Sequence, residues 1–310
     1  MEFKTFFKEA LALTSYSLYP FYILYTNFIF LGQFTLDPKF LGNWAVLFLF
    51  VFFNVLQTFT IIYYILIYTS ESKSTQDIFP MTSNIKIDRN FTNINPFIAE
   101  RLKERSIEKT HSCDICQTYK PPRCHHCSRC SKCFLKMDHH CLFLDTCIGF
   151  HNYKFFIQFL IINIIMIIFN LTIITLDTSI NTNNKNEVLV NYIIFASLSV
   201  IALCIFIPTA IYHFSLISNN ETTIEKLTID EYIQGNTTFV DNFQEGPISQ
   251  GSDSKDRKVL NPYNLGVKEN WIQVFGTSPK DWLLPSFSSI GDGITFKKNE
   301  VNENDRAYRI

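Results

Sequence analysis

The stretch "CDICQTYKPPRCHHCSRCSKCFLKMDHHCLFLDTC", residues 113–147, holds eight of the chain's nine cysteines and four of its seven histidines. Thiols and imidazoles interleaved this densely point to metal and a reducing compartment rather than to disulfides. Cys113, Cys116, His126 and Cys133 form the pattern C-x2-C-x9-H-x6-C. Cys127, Cys130, His140 and Cys147 repeat it, each ligand shifted by 14 residues. Each set offers three thiolates and one imidazole, the donors of a closed tetrahedral zinc site.

Two such sites consume eight ligands and leave Cys141 out. A third copy beginning at Cys141 fails, because Leu144, Lys154 and Ile161 stand where its Cys, His and Cys would be. Cys124 is also unassigned, but it precedes both His-His-Cys triplets and lacks the same neighbours. Beside Cys141 are His139, the non-ligand histidine of its pair, and Asp138. A nucleophilic thiol needs a lowered pKa or an adjacent base. An imidazole oriented by a carboxylate supplies both, and nearby zinc would add positive charge that favours the thiolate. The alternative for Asp138 and His139 is support of the ligand His140.

These residues need a platform. Four apolar stretches, at roughly 11–33, 45–69, 154–176 and 192–217, are long enough to cross a bilayer, which takes about 20 residues. No cleavable signal peptide is evident. Segment 70–153 carries twelve Lys and Arg, whereas the loops at 34–44 and 177–191 carry Lys39 and Lys185 only. That bias places the middle segment and both termini in the cytosol. The net charge of −1 gives no reason to expect a polyanionic partner.

The expected organisation is therefore transmembrane helices 1 and 2 over 1–69, a cytosolic linker over 70–110, a zinc-binding cysteine-rich domain over 111–153, transmembrane helices 3 and 4 over 154–217, and a cytosolic region over 218–310. The fold class is an α-helical integral membrane protein with two zinc sites among short β-hairpins. In the linker, "ERLKERSIEK" reads as a helix. Residues 218–259 read as loop, 261–289 as a small aromatic module packed on something, and the last twenty residues as disordered.

Lys154 follows Cys141 by only thirteen residues, so the thiol belongs at the membrane–water interface. A protein there can hold an acyl chain in the bilayer while its thiol meets an aqueous head group. S-acyl transfer suits that place, since thioester exchange is near thermoneutral and needs only positioning and an activated thiolate.

The run C-x2-C-x3-KPPR-x2-HC-x2-C-x2-C-x4-DHHC-x5-C-x4-N-x3-F, ending at Asn152 and Phe156, resembles the cysteine-rich domain of the DHHC protein S-acyltransferases, or palmitoyltransferases. "TTIE" at 222–225 is similar to that family's TTxE motif, and "NWIQVFG" at 270–276 to its C-terminal motif. The resemblance implies that Cys141 is the acylated nucleophile, His139 the base and Asp138 its orienter. It implies zinc on the two ligand sets above, contact of Thr223 with Asp138, and Asn270 as an anchor for the tail. Lys120, Arg123 and His125 would meet the phosphates of a fatty acyl-CoA, with a solvated basic surface as the alternative, above all for His125. The partners would be palmitoyl-CoA or a similar donor, membrane-associated proteins with cytosolic cysteines, and the lipid bilayer, with no nucleic acid. The location would be an endomembrane, endoplasmic reticulum or Golgi. The sequence departs from the family at Leu142 and Phe143, where Pro-Trp is usual; Phe143 keeps an aromatic wall but lacks the indole N–H.

Other readings make different demands. A nucleic-acid-binding zinc protein needs a basic reading element and no membrane spans. A thiol-redox protein needs a resolving cysteine, for which Cys124 is the candidate. A catalytically silent zinc-containing membrane scaffold predicts that Cys141→Ala leaves function intact.

Overall fold

The computed structural model describes residues 24–25, 44–70, 74–79, 112–180, 186–234 and 261–299. The first expected span, the linker helix and the segment 235–260 lie outside these residues, apart from 24–25.

Among the described residues, three helices are long and apolar enough to cross a membrane: α1 (Trp44–Thr69), α3 (Tyr153–Ile180) and α4 (Asn186–Asn219). At about 1.5 Å per residue, even the shortest exceeds a hydrocarbon core of about 30 Å. Hydroxyls inside them bond to their own backbone: Thr60 Oγ1 donates to Leu56 O, Ser197 Oγ to Ile193 O and Thr209 Oγ1 to Ile205 O. This keeps polar groups satisfied in apolar surroundings. α3 is the central helix, packed against both α1 and α4 and buried over about twice the share of its length.

The described residues between α1 and α3 include three antiparallel hairpins. β1 (Ser112–Cys113) pairs with β2 (Thr118–Tyr119), β3 (His125–Cys127) with β4 (Lys132–Phe134), and β5 (His139–Cys141) with β6 (Thr146–Ile148). The 14-residue repeat is thus a repeat of hairpins. His126 faces Cys133 across the second, and His140 faces Cys147 across the third. The turns repeat too: Gln117, Ser131 and Asp145, each 14 residues apart, take positive φ of 52°, 54° and 48°. Each hairpin needs one left-handed residue at that point, and none uses glycine. A short helix α2 (Thr75–Ile78) follows α1 and leans on the hairpins. Ser74 bridges to Phe134, and the Thr75 and Thr118 hydroxyls lie 2.9 Å apart. Part of the expected linker therefore packs on the cysteine-rich hairpins.

The third hairpin sits on the helices. Leu144 and Ile148 share a buried cluster with Ile67, Phe155, Phe159 and Ile217. Asn152 fastens the junction: its Oδ1 accepts from Gly149 N, and its Nδ2 donates to Ile67 O and Cys147 O.

The loop expected over 218–259 is instead interrupted by a helix, α5 (Thr223–Ile233). Thr222 and Glu225 form its capping box: Thr222 Oγ1 accepts from Glu225 N, and Glu225 Oε2 accepts from Thr222 N. That arrangement satisfies two orphan donors and starts a helix. The tail module forms as expected, with α6 (Val267–Phe275) and α7 (Pro279–Leu283) stacked through Trp271, Phe275 and Trp282. It docks on the first turns of α3. Lys154 Nζ donates to Leu284 O, Ser286 O and Ser288 Oγ, and Gln158 Nε2 to Trp282 O. Residues 291–299, expected to be disordered, are packed: Asn299 N bonds to Pro262 O, and Gly293, at φ 74°, lies so close to Phe150 that a Cβ would clash.

Candidate active site

The hairpins bring each ligand set together as the spacing implied. In the first cluster, His126 Nδ1 lies 3.7, 3.2 and 3.7 Å from the sulfurs of Cys113, Cys116 and Cys133. In the second, His140 Nδ1 lies 3.6, 3.4 and 3.6 Å from those of Cys127, Cys130 and Cys147. Sulfur–sulfur approaches are 3.6 Å (Cys116–Cys133) and 3.5 Å (Cys130–Cys147). A tetrahedron with Zn–S of about 2.3 Å and Zn–N of about 2.05 Å has S···N and S···S edges of about 3.6 and 3.8 Å. Both clusters fit that ion. Burial and crowding by neighbouring sulfurs push the Cys116 and Cys147 thiols up, a penalty that a central cation removes. The Cys116 and Cys130 amides point at the sulfurs of Cys113 and Cys127, at 3.4 Å each. On the far side of His140, Nε2 meets Asp145 Oδ1 at 3.2 Å, and Asp145 is held by Arg129 at 2.6 Å. This carboxylate fixes which imidazole nitrogen faces the sulfurs.

Side chains alternate along a strand. His140 turns toward the second cluster, so His139 and Cys141 share the opposite face. Cys141 occupies in the third hairpin the place that ligand Cys127 holds in the second. Among the described residues, no further hairpin completes a set around it. It is half-buried against the apolar cluster that joins the hairpin to the helices. Its thiol neighbours His139 closely enough to raise that ring's pKa.

Asp138 is 2% exposed and holds His139 from behind, Oδ2 to Nδ1 at 2.6 Å. With Nδ1 so engaged, Nε2 is the nitrogen left for Cys141. Thr223, the first residue of α5, donates its N–H to Asp138 Oδ1 at 3.0 Å and its hydroxyl to Oδ2 at 2.7 Å. A helix N-terminus suits a carboxylate. Burial opposes the charge on Asp138, but the histidines and Thr223 hold its pKa below the usual value. Burial likewise opposes a charged His139, yet Asp138 and Cys141 raise it to about 9. The site thus places a thiol near an imidazole of raised pKa, held by a carboxylate whose pKa is lowered.

Of the residues read as phosphate contacts, Arg123 points the other way. It is 5% exposed. Its guanidinium donates to both oxygens of Glu225, at 2.7 and 2.8 Å, and to Asn220 Oδ1 and O. It also lies 4.5 Å over the Tyr263 ring and 5.1 Å over Phe296. It is a clasp between the hairpins, α5 and the tail, not a cation turned to solvent. His125 is pushed down to about 4 by burial and the neighbouring Lys120, so it is neutral near pH 7. Lys120 is half-buried on the surface. Asn270 is buried in the tail: its Nδ2 donates to Ser218 O at the end of α4 and to Asn264, and its Oδ1 accepts from Leu265 N. Leu142 is exposed, while Phe143 meets Phe206 of α4 edge-on, with ring centroids 6.2 Å apart.

Residues 106–230 match the family model described as DHHC palmitoyltransferase. That stretch is similar to a DHHC palmitoyltransferase domain. Among curated proteins the chain is 37% identical over 194 residues to Palmitoyltransferase ZDHHC15 of Xenopus laevis, covering 60% of this chain and 50% of the relative. It is 37% identical over 199 residues to Palmitoyltransferase ZDHHC2 of Homo sapiens (62% and 47%), and 36% identical over 195 to Palmitoyltransferase ZDHHC15A of Danio rerio (59% and 50%). The chain spans about half the length of the curated relatives it matches.

The matched stretch also contains neighbours of these groups that the spacing did not reveal. Asp145 and Arg129 back the second cluster. His213 and Tyr153 lie behind Asp138, with Tyr153 Oη 3.1 Å from His213 Nδ1. A histidine inside an apolar span is itself a signal, and it was available in the sequence.

Proposed function

We propose that this chain is a protein S-acyltransferase that forms an acyl-enzyme at Cys141 and passes the acyl group to a cysteine of a membrane-associated protein. The observation that carries the reading is the placement of Cys141: a ligand position of the hairpin repeat with no ligand set, facing the Asp138–His139 pair. His139 takes the thiol proton, and the thiolate attacks the carbonyl of palmitoyl-CoA or a similar donor. The C–S bond to coenzyme A breaks, and His139 returns the proton to the leaving thiolate. In the second step the substrate thiol gives its proton to His139 and attacks the acyl-enzyme, and the Cys141 sulfur leaves. Asp138 and Thr223 keep the imidazole aimed throughout. Cys113, Cys116, His126 and Cys133 would hold one zinc ion, and Cys127, Cys130, His140 and Cys147 another. Zinc bound there supplies folding free energy, not a reacting group. Lys120 is the donor-phosphate contact that remains.

The same reading includes a fourth span over 11–33, the domain divisions expected from the sequence, a cytosolic zinc domain and termini, and an endoplasmic reticulum or Golgi location. It is supported by the three apolar helices, by the hairpin domain joined to them, and by the palmitoyltransferase names of the relatives. The test is incubation of purified protein with an alkyne-tagged fatty acyl-CoA. Hydroxylamine-sensitive label is expected on the wild type and on neither Cys141→Ala nor Cys141→Ser. Label that persists in Cys141→Ala overturns the assignment.

A further inference from the structure

His213 is 3% exposed near the end of α4, one of the three helices apolar enough for a membrane. An ionisable ring there is costly unless its polar atoms have work to do. Its Nδ1 lies 3.1 Å from the Tyr153 hydroxyl and 4.0 Å from Asp138 Oδ2. Thr223 and His139 hold the Asp138 carboxylate from one side by hydrogen bonds. His213 closes the remaining side of Oδ2. Its ring also lies 5.5 Å from that of His139, tilted 36°. The Phe156 ring is T-shaped to both, with centroids 5.0 Å from that of His213 and 5.4 Å from that of His139. The His139 ring is thereby enclosed by side chains of α3 and α4.

We propose that His213 is a positioning residue for the Asp138–His139 pair, with Tyr153 fixing its ring; this rests on the acyl-transfer reading of Cys141. It acts through Asp138 and touches no reacting atom. It confines the carboxylate to the orientation that holds His139, and it limits rotation of the His139 ring away from Cys141. It also ties the geometry of the pair to α4, and through Tyr153 to the start of α3. Outer partners of this kind change activity by about 10- to 100-fold when removed.

The test is single-turnover autoacylation of the purified full chain, measured against acyl-CoA concentration, with zinc counted on every variant. His213→Leu should lower the maximal rate about 10- to 100-fold, leave the half-saturating acyl-CoA concentration unchanged and retain the wild-type zinc content. His213→Asn, whose amide reaches the place of Nδ1, should recover most of the rate. Tyr153→Phe should lower the rate by itself and add little to His213→Leu. A His213→Leu protein with the wild-type rate overturns the positioning role. So does an equal loss in His213→Leu and His213→Asn accompanied by lost zinc, which would make the ring a folding element. Asp138, His139 and His213 are close enough to share a cation; a third zinc in the wild type that vanishes in His213→Leu would make His213 a ligand instead. A wild-type chain that takes no label sinks the acyl-transfer reading itself. A labelled wild type with an unaltered His213→Leu sinks only the role of His213.

Discussion

Replacing Arg123 by Met separates two roles for one cation. In the structure the guanidinium makes two hydrogen bonds to Glu225 and two to Asn220, and the paired side chains are 2% and 7% exposed. Removing one partner of a buried ion pair costs about 3–5 kcal/mol, because the other charge is left without compensation. That is a large part of a domain's total stability of about 5–15 kcal/mol. Thermal unfolding in detergent should therefore show a strongly lowered midpoint. Replacing both Arg123 and Glu225 by Met should cost less than the sum of the single changes, since an apolar pair of similar volume strands no charge. The half-saturating acyl-CoA concentration of the folded fraction should stay unchanged. Were Arg123 a phosphate contact, losing its charged hydrogen bond, worth about 1.5–3 kcal/mol, would raise that concentration more than about tenfold. An unaltered midpoint with such a rise would refute the clasp. The pH response adds a sign. Burial opposes the charge on Glu225, but Arg123 and Thr222 hold its pKa below the ordinary 4.5. Its contribution is full above that value and is lost as the pH falls through the depressed folded one. In Arg123→Met the partner is gone and burial dominates, so mild acid should stabilise rather than weaken the fold.

His126→Ala should lose one zinc per chain and much of the fold, given metal binding of order 10 kcal/mol, whereas His139→Ala should keep both and lose autoacylation; metal analysis beside the labelling assay separates them. Asp145→Asn should weaken the second site about 10- to 100-fold, read by competition with a zinc chelator, with little effect on the first. Thr223→Val keeps the N–H but removes the hydroxyl from Asp138, and should slow autoacylation about tenfold at full zinc content, a loss of about 1.4 kcal/mol. Asn270→Ala uncouples the tail from Ser218 O at the end of α4, and should raise protease sensitivity in the tail before global unfolding, as followed by limited digestion.

The ligand sets were legible because spacing along the chain becomes register across a hairpin: His126 against Cys133 and His140 against Cys147 differ only by the 14-residue shift. The three described apolar helices were legible because continuous apolar runs of that length seldom form anything else. The role of Arg123 was read from the family resemblance, and its pairing with Glu225 was not legible because that partner is 102 residues away. The helix at Thr223–Ile233 was hidden by its polarity, though its start carries the Thr-x-x-Glu signal of a capping box. The order of residues 291–299 depends on contacts such as Gly293 against Phe150, which local composition does not announce. His213 needed only the premise that an imidazole in a membrane span has a reason to be there.

Native mass spectrometry after incubation with palmitoyl-CoA reads metal and acyl group on the same molecule. The account predicts two zinc ions on the wild type and on Cys141→Ala alike, with a single palmitoyl adduct on the wild type only. A Cys141→Ala chain that has lost a zinc ion, or that still carries the adduct, would contradict it.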